Sequence, residues 1–316
     1  MSRMKSLRRL IAALALATVA GLGLVGCGDP ATGVPAGNAA AGDSKITKSW
    51  GLKPVDSVAA LVPAEFKGKP LTNAIYNDFP PEEFLEGGTL VGIQPDIAVA
   101  LGEVMGVEFK NVPVGSFDAL IPGVISGRYQ ISTGDFGVTK ARLGQVDFVT
   151  EFPIGTGFAV KKGSAITVDK VTDLCGHSIG VVAGSYFVDQ VRAANTTCGK
   201  AGLSEITLQT YPNDGARILA ITNGRVEITG TAEDSMGYTI ASQNVPLVLQ
   251  KFVYEPVEQA IALPNGSALG PALHAAMKEI VTNGTYAKIL KKWGVEHVAY
   301  DSAGDVRLLT EPSQAS

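Results

Sequence analysis

The chain has 316 residues, 46% of them hydrophobic and 18% charged, with 30 acidic against 26 basic side chains. Past the first ten residues no basic tract remains, which argues against nucleic acid as a partner. His177, His274 and His297 are far apart and no C-x-x-C occurs, so the sequence calls for no metal and no other cofactor.

The N-terminus reads as a targeting segment. Arg3, Lys5, Arg8 and Arg9 precede an apolar run of 17 residues, Leu10 to Gly26, short of the ~20 that a membrane span needs. Leu24-Val25-Gly26-Cys27 resembles the lipobox of bacterial lipoproteins, where cleavage before the cysteine leaves it to be acylated. An ordinary signal peptide and an uncleaved anchor are the alternatives. The expectation is a signal peptide over 1–26, a palmitoylated Cys27 and a disordered tether over 27–48, holding the protein to the outer face of the cell membrane. Loss of the signal leaves 22 basic against 30 acidic residues, a formal charge of −8. Cys175 and Cys198 then remain outside the membrane, where disulfides persist, and are expected to pair.

The body alternates strands and helices. Leu71 to Tyr76 predicts a strand, and Asn77 to Gly88, rich in Pro and acids, a loop. A helix over Pro95 to Val104 presents Ile97, Leu101 and Val104 on one face and closes at Gly106. A strand (107–112), a helix (117–126) and a strand (129–132) follow. Past Thr139, a plausible N-cap, comes a short helix that carries Arg142. The same grammar returns with strands at 178–182, 205–210 and 226–229 and helices at 186–194 and 214–222. The C-terminal part is helical over 268–281 and 284–292, and the polar tail after Tyr300 is expected to be loosely held.

One echo links the halves. Ser126-Gly127-Arg128-Tyr129-Gln130-Ile131 is matched 97 residues later by Asn223-Gly224-Arg225-Val226-Glu227-Ile228. Both follow an apolar helix and lead a strand into a polar loop. Two similar α/β lobes with parallel sheets would place the loops 133–137, 183–186 and 230–234 beyond strand ends, along one cleft. The chain would cross between lobes near 148–151 and 255–260. At Thr139, helix N–H groups and the Arg142 guanidinium suit a small anion, most simply a carboxylate. A solvated helix start with a surface arginine is the other reading of that stretch alone.

Several stretches in order resemble a known family. They are Val91-Gly92 through Pro95-Asp96-Ile97; Leu120-Ile121-Pro122 with Ser126-Gly127-Arg128; Thr139 and Arg142 with Val146-Asp147-Phe148; Asp173-Leu174 through Ala183-Gly184-Ser185; Asn223-Gly224-Arg225; and Gly284-Thr285-Tyr286 with Lys292-Trp293. Together they resemble the extracytoplasmic solute-binding proteins of amino-acid ABC transporters (solute-binding protein family 3), from about Leu71 to Val295. The resemblance implies an α/β, two-lobed periplasmic-binding-protein-like (type II) fold with a hinge of two crossing strands. Lobe 1 would be discontinuous (49–152 and 256–316), and lobe 2 would span 153–255. It implies a monomer that captures an amino acid or amino-acid-like compound and delivers it to ABC permease subunits.

The resemblance also implies site residues. Arg142 would grip the α-carboxylate, helped by backbone N–H groups near Gly134 and Gly137 and by Gly184, Ser185 and Tyr186. Phe79, with Tyr76 nearby, would form an aromatic wall. This chain departs from the pattern at Gly137, usually Ser or Thr, at Glu82, usually aromatic, and at Ala232, where the family has an Asp for the α-ammonium. Asp135, helped by Glu233, is the expected replacement, or faces a basic side chain; the bland alternative is that Asp135 only caps a turn. Acids near the cleft, Asp78, Glu82, Glu83 and Asp234 besides these two, would favour a ligand of positive or zero net charge.

Binding without catalysis is the first expectation. An enzyme on the same fold, a dehydratase of cyclic acids or a peptidoglycan lyase, would need a positioned acid or base such as Glu82 or Glu233. The bland reading of both glutamates is solvated loop charge. A ligand sensor without transport is the third possibility.

Overall fold

The structure is a computed structural model that describes residues 45–315. The expected signal peptide, Cys27 and most of the tether lie outside the described residues. The last tether residues, expected to be loose, are fastened. Lys292 Nζ donates to the Lys45 carbonyl at 2.8 Å and to Thr47 Oγ1 at 2.7 Å, and Lys45 pairs with Glu86 at 2.7 Å. Among the described residues no helix is long and apolar enough to cross a membrane.

A single helical turn, α1 (Asp56–Ala59), precedes β1 (Leu71–Tyr76). The expected loop over 77–88 instead contributes to a small antiparallel sheet of β2 (Asp78–Phe79), β3 (Glu83–Glu86) and β4 (Thr89–Val91). Strands this short, broken by Pro and Gly, leave no periodic signal in sequence. α2 (Ile93–Met105) closes at Gly106 in the left-handed conformation. Its Ile93, Ile97, Leu101 and Val104 are buried, each stabilising by about 1.5–3 kcal/mol. Then come β5 (Phe109–Val114), α3 (Leu120–Ile125), β6 (Ile131–Gly137), the one-turn α4 (Lys140–Leu143) and the long β7 (Val146–Lys161).

The second half begins with β8 (Ser178–Val182) and α5 (Phe187–Lys200), then β9 (Thr207–Tyr211) and α6 (Asp214–Thr222). β10 (Ile228–Ala232), α7 (Glu233–Gln243) and the long β11 (Leu247–Pro264) follow. The chain ends in α8 (Gly270–Thr282), α9 (Thr285–Trp293) and β12 (Leu308–Leu309). Two expected cleft loops are in fact regular structure. β6 runs on through 133–137, and β10 continues to Ala232, with α7 starting at Glu233. All residues of β6 and β10 are buried, so no apolar–polar alternation marks where these strands end.

The main sheet has the order β5-β1-β6-β11-β7-β10-β8-β9. It is mixed rather than parallel. β1 pairs in parallel with β5 and β6, and β8 with β9 and β10, while β7 and β11 run antiparallel along most of their length. Read from its two ends, the order is the same: an outer strand, an inner strand, the strand that follows the echoed Gly-Arg turn, then one crossing strand. Gly127 and Gly224 both adopt positive φ, 73° and 72°, so the echo marks equivalent turns. The β7–β11 pair joins two α/β lobes.

Separate segments fasten the first lobe. Leu273, Met277 and Ile289 of α8 and α9 share one core with Ile97 and Leu101 of α2. The buried Asp96 carboxylate accepts from Trp293 Nε1 at 2.9 Å and Lys292 Nζ at 2.8 Å. The tail after Tyr300, expected to be loose, is held too. β12 pairs with Val149 and Phe148 of β7, and Arg307 reaches Glu258 at 3.1 Å. In the second lobe, Cys175 and Cys198 form a disulfide with Cα atoms 5.6 Å apart.

Candidate ligand-binding site

A cavity lies between the lobes at the carboxyl ends of β1, β6 and β8. It is lined by Tyr76, Phe79, Phe117, Asp135, Ser185 and Tyr186, with Phe187 and Asp214 beside them. Its free volume is about 20 Å³, room for about one water, so the lobes are closed on each other. Hydrogen bonds cross the cleft. Tyr76 Oη accepts from the Asp214 amide at 3.2 Å, Asp78 from the Gly215 amide at 2.8 Å, and Ser235 Oγ donates to the Pro80 carbonyl at 2.7 Å.

Arg142 is buried at the edge of this cavity, not on the surface. Thr139 Oγ1 accepts from the Arg142 amide at 3.2 Å, which starts the one-turn α4 and turns the side chain inward. Its guanidinium donates to the Gly137 carbonyl at 2.6 Å and to the Gly184 carbonyl at 2.8 Å. The Phe117 and Phe136 rings lie 5.6 and 5.7 Å away, within cation–π range. Burial lowers the guanidinium pKa to about 10, so it stays charged at neutral pH.

Two glycines set the close approach of the lobes. A Cβ on Gly137 would stand 2.2 Å from Tyr186 Cδ1, so the ring packs directly on the β6 backbone. Gly184 has φ of 76°, and a Cβ there would meet Asp118 Cβ at 2.6 Å. Gly134 is a packing position, facing Leu120 and Phe136. Ser185 Oγ donates to the Val182 carbonyl at 2.6 Å, which shapes the turn after β8.

Acids dominate the interior behind Asp135. Glu82 and Glu83 are fully buried, which corrects the reading of Glu82 as solvated loop charge. Glu151 of β7 is also fully buried, and its Oε2 accepts from Gln94 Nε2 at 3.2 Å. Burial first, then their mutual repulsion, holds the carboxyls of Glu82, Glu83, Asp135 and Glu151 well above the usual carboxylate range. Asp234 is pushed up to about 6 by burial, an effect partly offset by backbone amides and by Glu82. Two carboxyls this close can hydrogen-bond only with one proton between them. Asp135 adopts φ of 50°, a left-handed conformation rare outside Gly, Asn and Asp.

The structure therefore brings Tyr76, Phe79, Asp135, Ser185 and Tyr186 into one cavity, with Gly137, Arg142 and Gly184 at its edge. Glu233 is elsewhere: it lines a separate hinge-side pocket with Asp234, Gly155, Tyr254 and His297, which corrects its placement beside Asp135. The reason is that α7 begins at Glu233 and turns that side chain toward β7. Sequence reasoning missed Phe117, Glu151 and Asp214. Phe117 read only as the first residue of a helix, and Glu151 as part of a crossing. Asp214 and Arg217, at i,i+3, form a buried ion pair whose spacing alone does not separate it from a solvated pair.

A two-lobed α/β fold, hinged by two long strands and enclosing a small buried cavity, defines a ligand-binding protein of the solute-receptor type. Residues 71–296 match the family described as bacterial extracellular solute-binding proteins, family 3, and the chain belongs to that family. It is 25% identical over 253 residues to an arginine-binding protein of Corynebacterium glutamicum, covering 79% of this chain and 83% of that one. It is 27% identical over 221 residues to an arginine-binding extracellular protein of Bacillus subtilis, covering 68% and 82%. The fold superimposes with a TM-score of 0.64 on an ancestral arginine-binding protein bound to arginine, at 28% identity, over 71% of this chain and 97% of that one.

Proposed function

We propose that this chain is the extracytoplasmic substrate-binding component of an ABC importer, which captures an amino acid or amino-acid-like compound in the cleft and delivers it to permease subunits. The observation that carries the reading is Arg142, a charged guanidinium buried against Phe117 of an aromatic cavity and reaching both lobes. A ligand carboxylate is a stronger partner for that fork than two neutral carbonyls. Asp135, Gly134, Gly137, Gly184, Ser185 and Tyr186 would surround the zwitterion, with Tyr76, Phe79 and Phe117 against its apolar part. The lobes divide near 152/153 and 255/256, midway along the β7–β11 pair. The protein works as a monomer, anchored to the outer face of the membrane through lipid on Cys27. The test is calorimetric titration with the standard amino acids: binding by at least one, lost in Arg142→Ala, supports the reading, and no binding by any of them sinks it.

A second reading, an enzyme on the same fold, is favoured by the buried carboxyl pair of Glu82 and Asp234, which can hold and give up a proton. Mass spectrometry of the ligand after prolonged incubation separates the two. A receptor releases it unchanged.

A further inference from the structure

Five carboxyl groups gather where the small sheet, β6, β7 and α7 meet: Glu82, Glu83, Asp135, Glu151 and Asp234. Four of them belong to residues no more than 5% exposed. No hydrogen-bond donor among the described residues reaches either oxygen of Glu83, Oδ1 of Asp135 or Oε1 of Glu151, and Glu82 has only the carboxyl of Asp234 to share a proton with. Buried groups of this kind are costly unless something answers them. Arg142 eases Asp135, but its guanidinium is hydrogen-bonded to two carbonyls. Arg217, the other buried guanidinium, is committed to Asp214 and Thr229.

Two amides repeat the deficit. Gln94 is fully buried and placed against Glu151 by its own Nε2, yet its Oε1 has no partner. Gln259 Oε1, also buried, has none either. The region thus holds acceptors in excess of donors. The neighbouring cavity has an aromatic wall, made by Tyr76, Phe79, Phe117, Tyr186 and Phe187, and Asp135 lines it too. Asp135 in turn lies within electrostatic reach of Glu82, Glu83, Glu151 and Asp234. Ring faces backed by buried anions suit an organic cation. The described residues contain no group of three or more His, Cys, Asp or Glu arranged for a metal ion.

We propose that this compartment is a cation subsite, which takes the guanidinium or ammonium group at the far end of an amino-acid-like ligand. The assignment rests on the reading of Arg142 as the carboxylate grip. A lone α-ammonium beside Asp135 would leave Glu82, Glu83 and Glu151 unanswered, and a second cationic group answers them. Until it arrives, protons neutralise these carboxyls. The groups that face them are Arg142, Asp78, the Asp214–Arg217 pair, Tyr76, Tyr186, Tyr286 and His297; of these Arg142 and Arg217 carry a fixed positive charge, and both are already committed. Entry of the cation therefore sends protons from the carboxyls to solvent.

The test is calorimetric titration of the whole mature chain with arginine, lysine, their uncharged counterparts citrulline and norleucine, and methylguanidine. The expected result is that arginine or lysine binds at least ~30-fold tighter than its uncharged counterpart. Binding heats at neutral pH should also vary with buffer ionisation, which reports proton release. In Glu82→Gln or Glu151→Gln the preference should shrink by about tenfold or more. If citrulline and norleucine bind as tightly as arginine and lysine, the subsite is wrong while the Arg142 reading stands. If no amino acid binds but methylguanidine does, the subsite stands and the amino-acid reading falls. If nothing binds, both fall. Should the variants not fold, the wild-type series and the proton release decide the question.

Discussion

Arg142 donates across the cleft to the Gly184 carbonyl at 2.8 Å, while the same guanidinium holds Gly137 on its own lobe at 2.6 Å. One side chain thus joins β6 to the turn after β8. Its two acceptors are neutral, and in the function proposed above a ligand carboxylate competes for the same fork. Arg142→Ala should weaken ligand binding by roughly 30- to several-thousand-fold, the range for truncating one partner of a buried charged pair. Arg142→Lys should also weaken it markedly, because an ammonium cannot supply two parallel donors. Titration calorimetry measures both, and a lysine variant with wild-type affinity would contradict the fork.

Closure should depend on ligand. The cleft has room for about one water, so an amino acid enters only after the lobes part. Contacts from both lobes then favour the closed form. X-ray scattering should give a larger radius of gyration for a ligand-free population than for the saturated protein. Identical curves, in a protein shown by calorimetry to be saturated, would mean that opening is rare.

The buried acids make a pH prediction. Their folded pKa values lie above the unfolded values of about 4. Well below pH ~4 both states are protonated and the acids carry no ionisation penalty. As pH rises through the folded values, among them about 6 for Asp234, ligand-free stability should be lost. Glu82→Gln removes its share of that loss. Its Tm relative to wild type should climb as pH is raised from about 4.5 to 8. A Tm difference that stays constant over that range would show that Glu82 does not titrate as a buried acid.

Cys175 and Cys198, 23 residues apart, should matter to the second lobe. Closing a loop of that size contributes ~3 kcal/mol on the chain-entropy account, which depends on the model used. At ~2–4 °C per kcal/mol for a body of this size, the Cys175→Ser, Cys198→Ser pair should lower Tm by roughly 6–12 °C. Alkylation of two free thiols in the native secreted protein would remove the basis for this expectation.

Gly137→Ser restores the residue type usual in the family but should harm this protein. The new Cβ has no room against Tyr186, 2.2 Å away, so the ring must swing out or the lobes must stay apart. Gly137→Ser with Tyr186→Ala should recover closure that the single substitution loses, as scattering would record. If Gly137→Ser alone closes normally, the Tyr186 ring is not held as described.

The sequence by itself determined the chain's local order and much of its identity. β1, β8 and α6 fall where their alternation, helical spacing and glycine stops place them, because those signals lie within a few neighbouring residues. The Gly127 and Gly224 turns were legible as an echo for the same reason. Asp96 and Trp293 were legible as members of separate motifs, yet only folding brings the carboxylate and the indole to 2.9 Å. Tertiary structure alone decided where charge ended up. Glu82, Glu83 and Glu151 look like loop and strand-edge acids in sequence, because burial is a property of what packs around a residue. It also separated Glu233 from Asp135: α7 begins one residue past Ala232 and lays Glu233 against Gly155 and Gly157 of β7, and a count along the chain cannot see that rotation.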